Sequence, residues 1–347
     1  MKSNPLKAFV AFNAPASFRD ALAFAYHADG DGMRDLAYDL GEIKPHDPTG
    51  SAWDTIHVAP LPTGEMVAET GAHYLFAVQI NERVLPGKVI KERLEKMIAE
   101  HEDLEGRKPN KKDIAIMKDQ AETELLSKAF IKRSVVYVTV TKEHVFVWCS
   151  SVKRANAVIA TLLSTLSNSC KIEIDMKHKS SEDGRGATAE LTSFPRWAPA
   201  ANVNRVLREI LVRDYDDNAS LIPGLAASFF NTENSEKMTL KDADVRSPSN
   251  LRQIDGDANW TVTKLAIEYV RNSAEKEPYA LFTLSDKLII TGLKFPDGST
   301  FDDEAEDADI VTASYLITRT AEEILTELDA VLEAEAQDDQ FVDEEDY

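Results

Sequence analysis

The sequence predicts an α+β protein: antiparallel sheets with a projecting helical-hairpin finger. Three observations carry that expectation. Residues 84–133 hold two runs of helical periodicity around a basic turn. β-rich runs enter and leave that stretch at Tyr74–Ile80 and Ser134–Thr141. Far downstream, Trp260–Tyr269, Tyr279–Leu284 and Leu288–Phe295 follow one another across short turns, the pattern of an antiparallel meander. At 347 residues, 43% hydrophobic and 29% charged, the chain is long enough for two or three domains. The expected division is 1–83 as the first part of a central α+β domain, 84–133 as the finger, 134–200 as the rest of the central domain, 201–336 as a C-terminal α+β domain, and 337–347 as an acidic, disordered tail.

In the finger, Pro86 suits a first helical turn, where its missing N–H costs nothing. Val89, Ile90, Leu94, Met97, Ile98, His101 and Leu104 then recur at three- and four-residue steps, one apolar stripe on a charged helix. Gly106 stops that helix and Pro109-Asn110 turns the chain. Ile114, Met117, Ala121 and Leu125 mark one face of a second helix. The turn between them carries Arg107, Lys108, Lys111 and Lys112. The second helix ends in Lys128-Ala129-Phe130-Ile131-Lys132-Arg133, an apolar pair bracketed by cations.

Before the finger, Leu6–Phe12 reads as a strand, Ser17–Ala25 as a short helix, and 29–32 and 47–50 as loops. After it, Ser134–Thr141 and Val145–Cys149 flank Lys142-Glu143-His144 as a β-hairpin. Val152–Leu166 is an amphipathic helix, and Lys171–Asp175 and Ala187–Leu191 are strands. Val203–Val212 reads as a helix capped by Asn202 or Asn204. Residues 214–257 are turn-rich, with one strand at Lys237–Val245 and a short helix after Ser247-Pro248. Beyond the meander, Val311–Thr318 reads as a fourth strand. Thr320 then caps a last helix with Ile324, Leu325, Leu328 and Leu332 on its apolar face.

The net charge of −21 is unevenly spread. Residues 302–347 hold 18 of the 60 acids and one of the 39 cations, which leaves the first 301 residues near neutrality at −4. A basic surface on that body is compatible with the acidic total. No leader segment and no membrane-length apolar run is visible. Cys149 and Cys170 form neither a disulfide framework nor a metal spacing, which fits reduced thiols in a cytoplasmic protein.

Nucleotide-binding fingerprints and His-Glu-x-x-His are absent, so neither a cofactor nor a metal is expected. The nearest approach to a nuclease centre is Glu173-Ile174-Asp175-Met176-Lys177, an acid-x-Lys without a convincing second acid upstream. Pro296-Asp297-Gly298 is more simply a turn. The candidate chemistry is electrostatic, since Lys and Arg displace counterions from phosphates. Arg107, Lys108, Lys111, Lys112, Lys128, Lys132 and Arg133 are the candidate DNA contacts, with Lys177 and Lys179 as weaker ones. Each alone reads as a solvated side chain. Trp148, Trp197 and Trp260 read as core. No recognition-helix pattern supports sequence-specific readout.

Several motifs resemble the RdgC family of recombination-associated DNA-binding proteins. They are Val84-Leu85-Pro86 with Val89-Ile90-Lys91 and Leu94-Glu95, Arg107-Lys108, Leu125-Leu126 with Lys128-Ala129-Phe130, Val262-Thr263-Lys264-Leu265-Ala266, Gly292-Leu293-Lys294-Phe295, and Asp307-Ala308-Asp309-Ile310. They stand in the family's order and span roughly Tyr74 to Leu332, with a poor match over the first 70 residues. The resemblance implies a horseshoe-shaped subunit and a homodimer closed head-to-head and tail-to-tail into a ring. It also implies double-stranded DNA passing through the ring without sequence preference, antagonism of a RecA-type recombinase, and a cytoplasmic, nucleoid-associated location. Phe130 maps onto an aromatic of one dimer contact. From the residues alone, a core phenylalanine at a helix-to-strand corner fits Phe130 equally well.

The second dimer contact of the family finds only Lys241-Asp242-Ala243-Asp244 here, and a family cation falls near Trp260. The acidic C-terminal extension is longer than the family's pattern, and a DNA-mimicking competitor for the basic surface is one expectation for it. Two other classes compete with the DNA-binding reading: a metal-dependent DNA exonuclease, as some of the family have been labelled, and an acidic protein-interaction module.

Overall fold

The structure, a computed structural model, describes residues 5–14, 53–170 except 66, 72 and 127, 203–212, 219–242, 245, 247, 249–250, 259–271, 277–296 and 309–342. Among these residues eleven strands form one antiparallel sheet. In chain order they are β1 (Phe9–Asn13), β2 (Trp53–Ala59), β3 (Val67–Thr70), β4 (His73–Val84), β5 (Phe130–Val140), β6 (His144–Trp148), β7 (Leu221–Asn231), β8 (Lys237–Lys241), β9 (Trp260–Tyr269), β10 (Ala280–Ser285) and β11 (Ile289–Lys294). Across the sheet they run β2-β4-β5-β6-β1-β11-β10-β9-β7-β8, with β3 also paired to β4. The helices are α1 (Gly87–Glu105), α2 (Lys111–Leu126), α3 (Val152–Cys170), α4 (Val203–Val212) and α5 (Asp309–Val342).

The first strand holds the two halves of the sheet together. Phe9, Val10, Ala11 and Phe12 are all buried, which explains an uninterrupted apolar run instead of alternation. On one side β1 pairs with β6 from Val10↔Val147 to Asn13↔His144. On the other it pairs with β11 through Phe9↔Ile290 and Val10↔Ile289. Phe9 meets the rings of Phe146 and Trp148 edge-on, at centroid separations of 5.3 and 5.2 Å. The Trp148 Nε1 donates to Thr139 Oγ1 at 2.8 Å. Trp148 and Trp260 are both core residues, as expected from the sequence, and Trp197 lies outside the described residues.

Helices cover the sheet with stripes read directly from their spacing. Ala155, Val158, Ile159 and Leu162 of α3 pack on Val138, Val145 and Val147. Val206, Leu207, Ile210 and Leu211 of α4 join Ile317, Ala321, Ile324, Leu325 and Leu328 of α5 over the β7–β11 half. Each such aliphatic side chain, fully buried, is worth about 1.5–3 kcal/mol of transfer free energy.

Three expectations are corrected here. Val311–Thr318 is helical, not a fourth strand. Ile310, Ala313, Ser314, Ile317, Ala321, Ile324, Leu325 and Leu328 are buried at three- and four-residue steps, so packing outweighs the local β propensity. Thr320 is therefore interior to α5 and caps nothing; its Oγ1 donates back to the Leu316 carbonyl at 3.1 Å. The same helix runs to Val342, past Gln337, where the disordered tail was expected to begin.

The stretch treated as turn-rich contains β7. Pro223 and Gly224 suggest a turn, but the strand takes them up in an irregularity between Pro223 and Ala227. A Cβ at Gly224 would lie 3.3 Å from Ala266 Cβ, so the strands approach there because the residue is glycine. The meander β9-β10-β11 and the β5–β6 hairpin form as expected. The readings over Ser17–Ala25, 29–32, 47–50, Lys171–Asp175 and Ala187–Leu191 lie outside the described residues.

Candidate nucleic-acid interface

The basic hairpin is an insertion between two fully paired strands. β4 and β5 stay in register from Tyr74↔Val140 to Val84↔Phe130, so the chain leaves and re-enters the sheet at facing positions. Pro86 is the N-cap of α1, with ψ at 130°, and the helix starts one residue later at Gly87. Gly106 closes it in the left-handed conformation, φ 65°, and its N–H bonds the Glu102 carbonyl. Asn110 opens α2: its Oδ1 accepts from the backbone N–H groups of Lys112 and Asp113 at 2.8 and 3.0 Å, while Asp113 Oδ2 accepts from Asn110 N–H at 3.1 Å. That reciprocal cap fixes where the tip lysines leave the backbone. At the base, Arg83 Nη1 donates to the Leu126 carbonyl at 2.7 Å.

The candidate cations fall into two groups. Arg107, Lys108, Lys111 and Lys112 are exposed at the tip, and Lys128, Lys132 and Arg133 are exposed at the base. With ~1.5 Å per residue, the 19-residue α1 separates the groups by about 25–30 Å. Two of the seven are neutralised in place. Arg107 hydrogen-bonds Glu105 at 3.1 Å, and Lys128 lies 4.0 Å from Glu124. Lys108, Lys111, Lys112, Lys132 and Arg133 have no carboxylate partner among the described residues. Elsewhere on the hairpin the charges cancel along the helices, as in Lys88–Glu92, Lys91–Glu95 and Lys118–Glu122. The open concavity on α2, about 460 Å³, is lined by Ile116, Asp119, Gln120, Thr123 and Glu124, and its carboxylates make it unsuited to phosphate. Lys177 and Lys179 lie outside the described residues, as do Glu173 and Asp175.

Phe130 is 88% exposed, which removes the core alternative for it. It lies directly opposite Val84 on one face of the β4–β5 ladder, the face that also carries Lys132, whereas Ile131 and Val135 alternate to the other face with Arg133. The sequence singled out Phe130 and Ile131 but missed Val84 and Val135. The available signal was that the insertion leaves and re-enters neighbouring strands, which puts Val84 opposite Phe130. Lys241 is exposed at the end of β8, an edge strand whose outward positions Lys237, Thr239 and Lys241 are polar.

A second ionisable group of residues lies where α5 crosses the sheet. Glu322 Oε2 is 3.6 Å from His73 Nε2, and its Oε1 is 4.0 Å from His144 Nδ1. Burial alone would raise the Glu322 carboxyl; His144, the Thr141 hydroxyl and His73 outweigh it and hold the carboxyl below its ordinary value. Burial also depresses the His73 imidazole, against the opposing pull of Glu322. Burial raises the thiol of Cys149, which is free and buried. Among the described residues no three His, Cys, Asp or Glu side chains are arranged to hold a metal ion, and no helix is long and apolar enough to cross a membrane.

Comparison with known proteins adds a family. A family model described as "Putative exonuclease, RdgC" matches residues 18–183, and so reaches into the N-terminal stretch where the motif resemblance is poor. A recombination-associated protein RdgC of Shewanella frigidimarina is 39% identical over 95 residues, 27% of this chain and 31% of that protein. Proteins of the same name from Pseudomonas syringae pv. syringae and Pseudomonas aeruginosa are 26% and 25% identical, over 72% and 74% of this chain and 72% and 76% of their own lengths. The chain thus spans about a third of its Shewanella relative and about three quarters of the Pseudomonas ones.

Proposed function

Because the chain belongs to the RdgC family, we propose that it is a recombination-associated protein that binds double-stranded DNA without sequence preference. The observation that carries this reading is the set Lys108, Lys111, Lys112, Lys132 and Arg133, five exposed cations without carboxylate partners among the described residues, three at the tip of the inserted hairpin and two on β5 at its base. Partnerless surface cations are what phosphate neutralisation uses, and their binding is read by shape and charge, not by base edges. A spacing of about 25–30 Å between tip and base groups corresponds to roughly eight base pairs of B-DNA, so one duplex can meet both.

The horseshoe outline and the ring belong to the same proposal. Phe130, with Val84 directly across from it, supplies an apolar anchor for one two-fold contact. Lys241 on β8 stands in the second. A homodimer closed at both contacts would encircle DNA and obstruct a RecA-type recombinase on it, with a nucleoid-associated location as the consequence. Lys177 and Lys179 are proposed as further DNA contacts, and the acidic segment after Gln337 as a competitor for the same cations.

The test is sedimentation of the full chain together with binding to a random-sequence duplex. A dimer that binds duplex, and whose dissociation constant rises on Phe130→Asp as one of its two contacts is lost, supports the reading. A monomer indifferent to DNA at low salt contradicts it and favours the acidic protein-interaction module. One observation favours an exonuclease as the second reading: the matching family is described as "Putative exonuclease, RdgC". Incubating labelled duplex with the protein and Mg²⁺ or Mn²⁺ separates the two, since shortening of the DNA lost on Asp175→Asn would establish cleavage.

A further inference from the structure

Most of the charge on α2 is paired within the hairpin, and the remainder forms a pattern. Asp113 accepts from the Asn110 N–H, Lys118 lies 3.7 Å from Glu122, and Glu124 is held by Arg93. Lys111, Lys112 and Asp119 are left, all exposed and without an oppositely charged partner among the described residues. The two lysines stand in the first turn, where the positive end of the helix dipole repels them. A carboxylate supplied from outside the hairpin would relieve that repulsion.

Lys112, Ile116 and Asp119 share one stripe. At ~3.6 residues per turn they stand within about 60° of one another and about 140–180° away from Ala121, the residue that α2 buries. Ile116 is 57% exposed, an apolar side chain on the outward face of the finger. With Asp119, Gln120, Thr123 and Glu124 it lines the open hollow of about 460 Å³. An isoleucine and two carboxylates suit a cation carried on an apolar stem, and a lysine is such a group. The stripe reads cation, apolar, anion, with Ile116 near its middle. Run backwards, it is complementary to itself.

We infer that α2 docks against α2 of a second copy, antiparallel about a two-fold axis beside Ile116. Ile116 then packs on its own copy, and Lys112 of each chain meets Asp119 of the other. Lys111 and the turn before it overhang Gln120 and Thr123 in the hollow. Each contact occurs twice, as a two-fold interface requires. One helix per copy makes a small interface of the weak, transient class. It is separate from the contact assigned to Phe130, which lies on β5 at the base of the finger.

The docking has a consequence for nucleic acid. Docked fingers hold Lys111 and Lys112 against carboxylates, so phosphate and the second copy compete for the same two cations. That competition rests on the DNA-binding reading proposed above. The docking itself does not.

Sedimentation equilibrium of the full chain carrying Phe130→Asp, at low salt and without DNA, reads the docking apart from the Phe130 contact. Phe130 is exposed, so that chain keeps its fold. Lys112→Glu and Asp119→Lys, each added alone, should raise the dissociation constant about tenfold, because each sets like charges together twice. The double reversal Lys112→Glu/Asp119→Lys should restore it, and the two single variants should associate with each other. A monomer throughout, single reversals without effect, or a double reversal no tighter than the singles overturns the docking. Random-sequence duplex added to the docked chain should loosen it. Duplex that binds and leaves the association unchanged overturns the competition. Failure to bind duplex overturns the DNA-binding reading instead, and the charge reversals still decide the docking.

Discussion

Arg93 on α1 and Glu124 on α2 are joined by a hydrogen bond from Nε to Glu124 Oε2 at 3.0 Å and by an ion-pair contact of Nη2 with the same oxygen at 2.9 Å. The link matters because the hairpin has little else to hold it. α1 buries no residue fully, and α2 buries only Ala121. Since Glu124 is 45% exposed, the pair is worth only about 0.5–1 kcal/mol. Glu124→Ala should therefore leave the melting of the sheet unchanged and speed amide exchange within 87–126. Unchanged exchange there would mean the half-buried stripe alone fixes the hairpin.

Phe130 gives a sharper contrast. At 88% exposure its truncation to Ala should cost the monomer under about 0.5 kcal/mol in urea unfolding. A core phenylalanine would cost about 3–5 kcal/mol. The measurement belongs at a protein concentration where sedimentation shows a monomer, because assembly would add its own linkage.

How legible these features were in the sequence varies with their physical origin. The hairpin, its Gly106 stop and the β9-β10-β11 meander were readable because local rules and packing agree there. β7 was hidden because Pro223 and Gly224 are turn residues locally, and only the close approach to Ala266 makes them strand residues. The first turns of α5 were misread because the β-branched residues between Val311 and Thr318 favour a strand. The helical burial pattern becomes evident only when the window extends to Leu328. At the site, charge type was legible, but the partnering that separates Lys108 from Arg107 was not. Exposure of Phe130 could not be read from sequence either, since an aromatic after a helix is usually core.

Tyr269 carries a pH dependence. Burial first, then Glu323, pushes its phenol from 10 up to about 12. The unfolded chain loses that proton near 10 while the folded one keeps it, so stability falls as pH rises from 10 toward 12. Tyr269→Phe should flatten that part of the stability profile, followed by urea unfolding across the alkaline range.

Gly224→Ala tests the β7 irregularity. The added Cβ would meet Ala266 Cβ at 3.3 Å and Ala266 backbone atoms at 3.4 Å, so one strand must shift. A loss of about 1–3 kcal/mol in urea unfolding is expected. A neutral substitution would show that the bulge relaxes freely.

The central claim is that the exposed cations at the tip of the hairpin and on β5 at its base neutralise DNA phosphates. The most direct measurement is the salt dependence of binding to a random-sequence duplex, for the wild type and for a Lys111→Glu/Lys112→Glu/Lys132→Glu variant. The wild type should lose affinity steeply with salt, and the variant's log–log slope should be shallower by about three contacts, roughly 0.9 per contact, with affinity reduced at every salt concentration. An unchanged slope and affinity in the variant would contradict the account and place the DNA-binding surface elsewhere.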